Sequence, residues 1–216
     1  MPPEGDCRLC PRLAAFRDDN RARFATDPEG PWHNAPVASF GPRDARLLIV
    51  GLAPGLRGAN RTGRPFTGDW AGDLLYATLL KYGLAQGTYD ERADDGLTLA
   101  GVRICNAVRC VPPENKPTPA EIATCNRFLA EEIAGLRHLS VILALGAIAH
   151  SATLRALGQR QSAWRFAHAA IHRLPTGAVL IDSYHCSRYN TNTGRLTEPM
   201  FHNVFEAIIT MLYEPA

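Results

Sequence analysis

Four short apolar runs, separated by segments of helical periodicity, constrain the fold of this 216-residue chain more than any other feature. Each run has the length of a buried strand, and the main segments between them repeat apolar side chains at helical spacing. Buried strands that alternate with helices are typical of a parallel sheet covered on both faces. We therefore predict an α/β fold with strands over 46–52, 101–107, 141–145 and 178–182, and helices over 70–84, 118–137, 147–157 and 198–213.

Three other segments have weaker patterns. Residues 12–40 predict a short helix and an irregular connection, and residues 86–100 predict a solvated connection. The loop after residue 157 holds Trp164, His168 and His172. Those histidines could serve a site, but histidines that lie on the surface or are hydrogen-bonded within the protein are the more common case.

Polar loops follow three of the four predicted strands. The first, residues 51–69, holds five glycines, three arginines and a single acid, Asp69. The second begins at Asn106, and the third covers residues 183–197 and contains His185. The carboxyl ends of parallel strands lie at one edge of a sheet, where open α/β folds bind ligands. We therefore expect the three loops to converge on one crevice.

The charge of the chain is close to balanced, at a formal +2, and 46% of the residues are apolar. Bulk charge therefore does not indicate nucleic-acid binding, although a local basic stripe needs no high net charge. Any single arginine could be an ordinary solvated side chain. The arginines of the polar loops that could form a stripe are Arg57, Arg61, Arg64, Arg188 and Arg195.

The length of the chain suits one domain, so we expect residues 1–216 to form it, with 1–40 as its N-terminal segment. No stretch approaches the roughly 18 apolar residues of a membrane span. The N-terminus also lacks the basic start and apolar segment of a signal peptide. We therefore expect a cytoplasmic protein with no membrane partner. No feature of the sequence demands a dimer, and a monomer is expected.

The chain has six cysteines, which in a cytosolic protein indicate metal or reactive chemistry more than disulfides. Four thiolates suit either a structural zinc or an iron–sulfur cluster. The absence of a second CxxC pair favours the cluster. Cys105 and Cys186 are predicted not to be ligands, since free cysteines are often simply buried. The four candidate ligands are Cys7, Cys10, Cys110 and Cys125.

The residue types in the three loops suit excision of a base from nucleic acid. An enzyme of this kind draws the nucleotide into a pocket and stacks an aromatic ring on the base, for which Phe66 is available. The amide of Asn106 could read the Watson–Crick edge, and His185 could donate to the base carbonyl as negative charge grows there. A nucleotide-binding or redox module, and a protein that binds damage without cutting, remain alternatives.

Several motifs, in order along nearly the whole chain, resemble those of the uracil-DNA glycosylase superfamily. The match is to its iron–sulfur branch, and there to the type b, or family five, enzymes, which share the long insertion before Phe66. The motifs are Gly51-Leu52-Ala53-Pro54-Gly55, Gly63-Arg64-Pro65-Phe66-Thr67-Gly68-Asp69, Asn106-Ala107-Val108-Arg109-Cys110 and His185-Cys186-Ser187 with Asn190.

The resemblance implies a three-layer αβα sandwich around a four-stranded parallel sheet in the order 2-1-3-4. It implies a monofunctional glycosylase that excises uracil, and also hypoxanthine or other deaminated bases, from double-stranded DNA. Phe66 would stack on the base, Asn106 would contact it and His185 would donate to it, while the His185 loop enters the minor groove. A [4Fe–4S] cluster would be bound by Cys7, Cys10, Cys110 and Cys125.

The resemblance also assigns contacts to the loops. We expect the substrate to lie against Gly51, Leu52, Ala53, Gly55, Phe66, Asn106 and His185. We expect DNA to contact Arg57, Arg61, Arg64, Ser187, Arg188, Asn190 and Arg195.

Two departures from related enzymes affect the predicted chemistry. Sister branches of the superfamily keep an acid or amide where this chain has Leu52 and Ala53, which cannot activate water. Asp69 is then the candidate for orienting water or stabilising the sugar cation, with Asn106 and His185 as the other catalytic residues. Its place before a predicted helix also suits an N-cap. Cys186 stands where the family usually has proline, which would stiffen the loop.

Overall fold

The computed structural model describes residues 3–28 and 30–213. Two short 3-10 turns, at Pro113–Asn115 and Gln161–Ala163, lie between the main elements. The helices are α1 (Pro11–Arg23), α2 (Ala59–Thr62), α3 (Trp70–Lys81), α4 (Pro119–Gly135), α5 (Ala147–Ala156), α6 (Arg188–Asn192) and α7 (Glu198–Tyr213). The strands are β1 (Leu47–Gly51), β2 (Ala85–Gln86), β3 (Thr98–Leu99), β4 (Val102–Asn106), β5 (Val141–Leu145), β6 (Ile171–Arg173) and β7 (Val179–Ser183).

The main sheet has the strand order β4-β1-β5-β7-β6. Its first four strands are mutually parallel, which confirms the predicted sheet and its order 2-1-3-4. Every residue of β1, β5 and β7 is buried. This burial on both faces explains why these strands read as continuous apolar runs.

Helices cover both faces of the sheet, which confirms the predicted three-layer sandwich. On one face, Leu47 and Ile49 pack in a cluster with residues of α3 and α7. On the other face, Leu48 and Val50 pack with residues of α4 and α5. Each large apolar side chain buried in these layers contributes about 1.5–3 kcal/mol to stability.

Local signals in the sequence define where helices begin. The Thr118 hydroxyl accepts a hydrogen bond from the Glu121 amide at 3.3 Å, and the Glu121 carboxylate accepts one from the Thr118 amide at 2.7 Å. This capping box starts α4, with Pro119 at its first position. The side chain of Asp69 caps α3 by accepting a hydrogen bond from the Gly72 amide, as predicted for a helix that begins at Trp70.

The strand count differs from the prediction in two places. β6 adds a fifth strand, antiparallel to β7, within the predicted loop after residue 157. β2 and β3 form a two-stranded antiparallel ribbon within residues 86–100 and just before them. Both additions are only two or three residues long, so their pairing comes from neighbouring strands and leaves no apolar run in the sequence.

Short helices also lie within two of the polar loops. α2 interrupts the loop 51–69, and α6 lies in the loop that follows His185. Neither has the length needed for a helical period to be visible in sequence. Among the described residues, no helix combines the length and the apolar character needed to cross a bilayer.

Candidate active site

A cavity of about 340 Å³ lies at the carboxyl ends of the parallel strands, between the loops that follow β1, β4 and β7. The predicted convergence of the three polar loops is therefore confirmed. The lining residues that the sequence singled out are Leu52, Ala53, Gly55, Phe66, Asp69, Asn106, His185, Ser187 and Arg188. Other lining residues are Ala59, Trp70, Ala71 and Asn115.

Gly51 lies beneath the aromatic wall of the cavity. It pairs with Asn106 across β1 and β4, and a Cβ atom at this position would lie 2.5 Å from Cζ of Phe66. Any side chain larger than hydrogen would therefore displace the ring. Phe66 itself has a φ of 53°, which is unusual for a bulky residue. The surrounding structure holds it there, and such strained residues concentrate at ligand sites.

Asn106 presents an unpaired polar atom to the same region. Its side chain is 3% exposed, and its buried Oδ1 has no hydrogen-bond partner among the residues that the structure describes. An unsatisfied buried acceptor costs about 1–3 kcal/mol. A ligand that brings an N–H donor to this oxygen would remove that penalty.

His185 lines the cavity next to Phe66, and the two rings stack with 5.9 Å between their centroids. Burial lowers the pKa of His185 to about 4, so the imidazole is neutral at pH 7. A neutral imidazole has one N–H donor and one acceptor. The backbone of His185 is fixed because its carbonyl accepts a hydrogen bond from Nδ2 of Asn190 at 2.8 Å.

Asp69 directs its two carboxylate oxygens differently. Oδ1 accepts a hydrogen bond from the Gly72 amide at 3.3 Å and so caps α3. Oδ2 lies toward the loop, where a Cβ atom at Gly55 would be 2.9 Å from it and one at Gly58 would be 2.8 Å from Cγ. Burial raises the pKa of Asp69 above its ordinary value, against the hydrogen bonds from Gly72 and Ala71. The cap is thus confirmed, and it leaves the second oxygen near the cavity.

Basic and aromatic side chains lie in the loops that form the cavity, and Arg188 lines the cavity itself. Arg57, Arg188 and Arg195 are exposed, and Arg61 is partly buried. Tyr189 on α6 is 72% exposed, and the sequence analysis did not select it. The sequence signal that could have indicated Tyr189 is an aromatic residue within a polar loop. Ser187 caps α6, since its hydroxyl accepts a hydrogen bond from the Asn190 amide at 3.4 Å.

The structure buries Arg64, for which a DNA contact is predicted, inside its loop. Its side chain is 4% exposed, and Nη2 lies 2.6 Å from the carboxylate of Asp95, which is fully buried. Nε donates to Oγ1 of Thr67 at 2.8 Å, and the guanidinium lies over the rings of Tyr76 and Tyr89. The buried Arg64 side chain therefore stabilises the loop 51–69 through its contacts with Asp95 and Thr67. The sequence could not indicate this because Asp95 lies in a segment that looked solvated.

The four candidate cysteine ligands line one small pocket between α1, the end of β4 and α4. The Arg109 amide donates to the sulfur of Cys125 at 3.4 Å, and Arg17 donates to the sulfur of Cys110 at 3.9 Å. Burial raises the pKa of Cys10 to about 11 and that of Cys110 to about 12. The pocket-lining cysteines are Cys7, Cys10, Cys110 and Cys125.

The two remaining cysteines are fully buried and lie outside that pocket. Cys105 is part of β4. The Cys186 thiol donates to the carbonyl of Ala71 at 3.4 Å, which joins the His185 loop to the first turn of α3.

A buried histidine–carboxylate group lies below the His185 loop and was missed. Asp182 accepts from His150 at 2.7 Å and from His172 at 3.0 Å, one histidine on each oxygen. The second nitrogen of His150 donates to the carbonyl of Trp164 at 3.0 Å. Burial opposes the charged form of His150, but the bond to Asp182 raises its pKa overall. His172 is thus hydrogen-bonded within the protein, as the sequence analysis favoured.

Known proteins are similar in sequence to this chain over most of its length. The family model described as "Uracil DNA glycosylase superfamily" matches residues 38–209. A type-5 uracil-DNA glycosylase of Thermus thermophilus is 48% identical over 198 residues, which cover 92% of this chain and 90% of that protein. A type-5 enzyme of Pyrobaculum aerophilum is 39% identical over 192 residues, covering 89% and 83%.

Similarity to type-4 uracil-DNA glycosylases is less extensive. The type-4 enzyme of Thermotoga maritima is 41% identical over 116 residues, which cover 53% of this chain and 52% of that protein. The family match and the long alignments to type-5 relatives agree with a cavity built at the ends of β1, β4 and β7. The chain therefore belongs to the uracil DNA glycosylase superfamily, within the group of the type-5 enzymes.

Proposed function

We propose that this protein is a monofunctional DNA glycosylase that flips uracil out of duplex DNA and hydrolyses its N-glycosidic bond. The activity named for its type-5 relatives supports uracil as the substrate. The observation that carries the proposal is the buried Oδ1 of Asn106, which has no hydrogen-bond partner among the described residues and lies in a cavity also lined by Phe66 and a neutral His185.

The Asn106 amide would select the base. Uracil offers an N–H beside a carbonyl oxygen on its Watson–Crick edge, and an amide with its oxygen and NH2 groups matches that pair. Hypoxanthine offers the same pair, so we include it among the substrates. Cytosine presents a lone pair in place of the N–H, which would leave the Asn106 oxygen unpaired and so be rejected.

Phe66 and His185 would each make a different contact with the flipped base. The Phe66 ring would stack on the base, and the strained backbone at this residue keeps the ring fixed before the base arrives. As the glycosidic bond breaks, electron density moves onto the base carbonyl. The neutral His185 would donate an N–H to that oxygen, which stabilises the leaving group electrostatically.

Asp69 would serve the sugar side of the reaction. Leu52 and Ala53 carry no group that can activate water, whereas the Asp69 carboxylate lines the cavity and keeps one oxygen directed toward Gly55 and Gly58. A carboxylate in this position can orient water and stabilise the positive charge that develops on the sugar. Its other oxygen holds the N-terminus of α3, so the carboxylate is fixed in place.

DNA would dock across the rim of the cavity. The exposed Tyr189 stands next to Asn190 on α6, in the loop that would enter the minor groove, and it can fill the space left by the flipped base. Small polar groups and arginines of both loops would contact the backbone phosphates. They are Arg57, Arg61, Ser187, Arg188, Asn190 and Arg195.

The pocket of four cysteines fits an iron–sulfur cluster. Among the described residues, no three cysteine sulfurs lie within 4.8 Å of one another. A tetrahedral zinc with bonds of about 2.3 Å would need sulfurs roughly 3.8 Å apart, so the wider arrangement suits a larger group. We propose that Cys7, Cys10, Cys110 and Cys125 hold a [4Fe–4S] cluster, with N–H donors from Arg109 and Arg17 toward its thiolates. When bound, the cluster supplies covalent cross-links between distant segments of the chain.

The test is base release from labelled duplexes that carry uracil, hypoxanthine, cytosine or no lesion. The expected result is a free base and an abasic strand from the uracil duplex, a slower release of hypoxanthine and none of cytosine. No release by folded, iron-loaded protein would contradict the proposal. Reversible reduction of the cluster in such a protein would then favour the alternative of a redox or nucleic-acid-binding module.

A further inference from the structure

Trp70 joins the two segments on which the proposed catalytic residues lie. It follows Asp69 directly, lines the cavity and is 49% exposed. Its Nε1–H donates a hydrogen bond to Oγ1 of Thr191, on α6, at 2.9 Å. This bond spans from the start of α3 to the helix that follows His185.

Two other contacts lie along the same seam. The thiol of Cys186 donates to the carbonyl of Ala71 at 3.4 Å, directly behind the Trp70 bond. The guanidinium of Arg188 lies over the Trp70 ring, 5.6 Å from its centroid. The start of α3 and the loop after β7 are therefore held together by side chains at three successive points.

α6 is attached to the rest of the protein by surface contacts, which include the bond from Nδ2 of Asn190 to the carbonyl of His185. None of its five residues is buried, in contrast to the longer helices of the sandwich. The Thr191 hydroxyl reaches the carbonyls of Ser187 and Arg188, so it stabilises the helix as well as accepting from Trp70. A duplex that docks on α6 would push against a helix that is joined to the start of α3 by the Trp70–Thr191 hydrogen bond.

We propose that Trp70 is a positioning residue that, through its bond to Thr191, keeps α6 and His185 in register with Asp69 while DNA is bound. The inference rests on the proposed glycosylase function, since it assigns a role within that reaction. Without the bond, α6 can shift on the DNA, and His185 and Asp69 no longer face the same sugar–base bond. Displacement of a catalytic group by a short distance costs rate more than it costs binding.

The test is a double-mutant cycle with Trp70→Phe, Thr191→Val and the double variant. Removal of one neutral hydrogen bond corresponds to a loss of about two- to twelve-fold in the single-turnover rate of uracil release from a duplex. We expect that loss in each single variant, no further loss in the double variant, and little change in the dissociation constant for a duplex with a non-cleavable uracil analogue. Thr191→Ser, which keeps the hydroxyl, should restore the rate.

Thr193→Val is the matched control. Its hydroxyl also bonds carbonyls of α6, those of Tyr189 and Asn190, but it does not contact Trp70. This variant should keep the wild-type rate. Losses that multiply in the double variant, or equal losses in Thr193→Val and Thr191→Val, would overturn the proposal.

A measurement on the free protein separates this proposal from the proposed function. Hydrogen–deuterium exchange of the amides of residues 187–193 should be faster in Trp70→Phe and Thr191→Val than in the wild type, without DNA. If the wild type released no uracil, the proposed function would fail while this readout still reported on the bond. Unchanged exchange together with unchanged release would refute the positioning role.

Discussion

At the scale of single residues, the Asp69 carboxylate caps a helix and has a proposed catalytic role. Substitutions can separate these two roles. One oxygen caps α3 through the Gly72 amide, and the other lies toward Gly55 and Gly58 at the cavity. An asparagine keeps an oxygen for the cap but loses the negative charge. An alanine loses both.

Asp69→Asn should therefore lower uracil release with little effect on stability. Asparagine and aspartate are about equally good N-caps, whereas alanine at an N-cap costs about 0.5–2 kcal/mol. We expect a loss of about 100-fold or more in the single-turnover rate of Asp69→Asn, as for other positioned carboxylates. Urea denaturation should give a wild-type midpoint for Asp69→Asn and a lower one for Asp69→Ala. A wild-type rate in Asp69→Asn would remove the catalytic assignment.

His185 should make stability depend on pH. Its ordinary pKa of about 6.5 applies to the unfolded chain, and burial lowers the folded value to about 4. Between these values the unfolded chain binds more protons, so the contribution is complete above pH 6.5 and is lost as the pH falls toward 4. The loss amounts to up to about 3 kcal/mol.

The measurement is the free energy of unfolding by urea at pH 7, 6 and 5. The wild type should lose stability over this range more steeply than His185→Gln. His138→Gln, which changes an exposed histidine, should follow the wild type. Equal slopes in wild type and His185→Gln would contradict a neutral, buried His185.

Residues that line the cavity were predictable from sequence where residue type restricts the chemistry, and their roles remain predictions. Phe66, Asn106 and His185 were selected because stacking, edge recognition and donation each need a particular side chain, and all three line the cavity. Arg64 was assigned to DNA because an arginine in a polar loop has the right charge. Its burial depends on Asp95, a partner that only the folded chain brings near.

At the scale of secondary-structure elements, α6 shows what periodicity in the sequence leaves out. The long helices and the four buried strands were predictable because each must present a wide apolar surface to the core. α6 and β6 have three to five residues and few buried side chains, so no pattern marks them. Their positions follow from caps and from pairing with β7.

Tyr189, at the exposed surface of α6, should matter for duplexes more than for single strands. The ring can occupy the gap left by a flipped base, and only a stacked duplex has such a gap to fill. Tyr189→Ala should reduce uracil release from duplex DNA several-fold more than release from a single strand of the same sequence. Tyr213→Ala, which removes another exposed tyrosine, should change neither rate. Equal reductions on both substrates would argue against insertion.

At the scale of the whole molecule, four cysteines that line one pocket come from segments that are far apart in sequence. Cys7 and Cys10 precede α1 or stand at its start, Cys110 follows β4, and Cys125 lies within α4. The set was predictable as candidate ligands from count and spacing. That the four line one pocket required the packing of α1 beside Val108 and Cys125.

Cys125→Ser should lower the iron and sulfide content of the purified protein and its thermal stability together. The cysteines would cross-link α1 to the sandwich, so loss of one ligand frees the N-terminal segment. Cys105→Ala is the control, because Cys105 is buried outside the cysteine pocket. It should keep wild-type iron content. Full iron occupancy in Cys125→Ser would exclude Cys125 as a ligand.

The strand order of the main sheet also has a consequence for synthesis of the chain. β1 lies between β4 and β5, so both of its neighbours leave the ribosome after it does. β7, which leads into His185, emerges after the other three parallel strands. Pairing between strands distant in sequence forms slowly. The nascent chain therefore holds Phe66 and Asn106 well before it has a third wall, and a product truncated before β7 would have no complete pocket for a base.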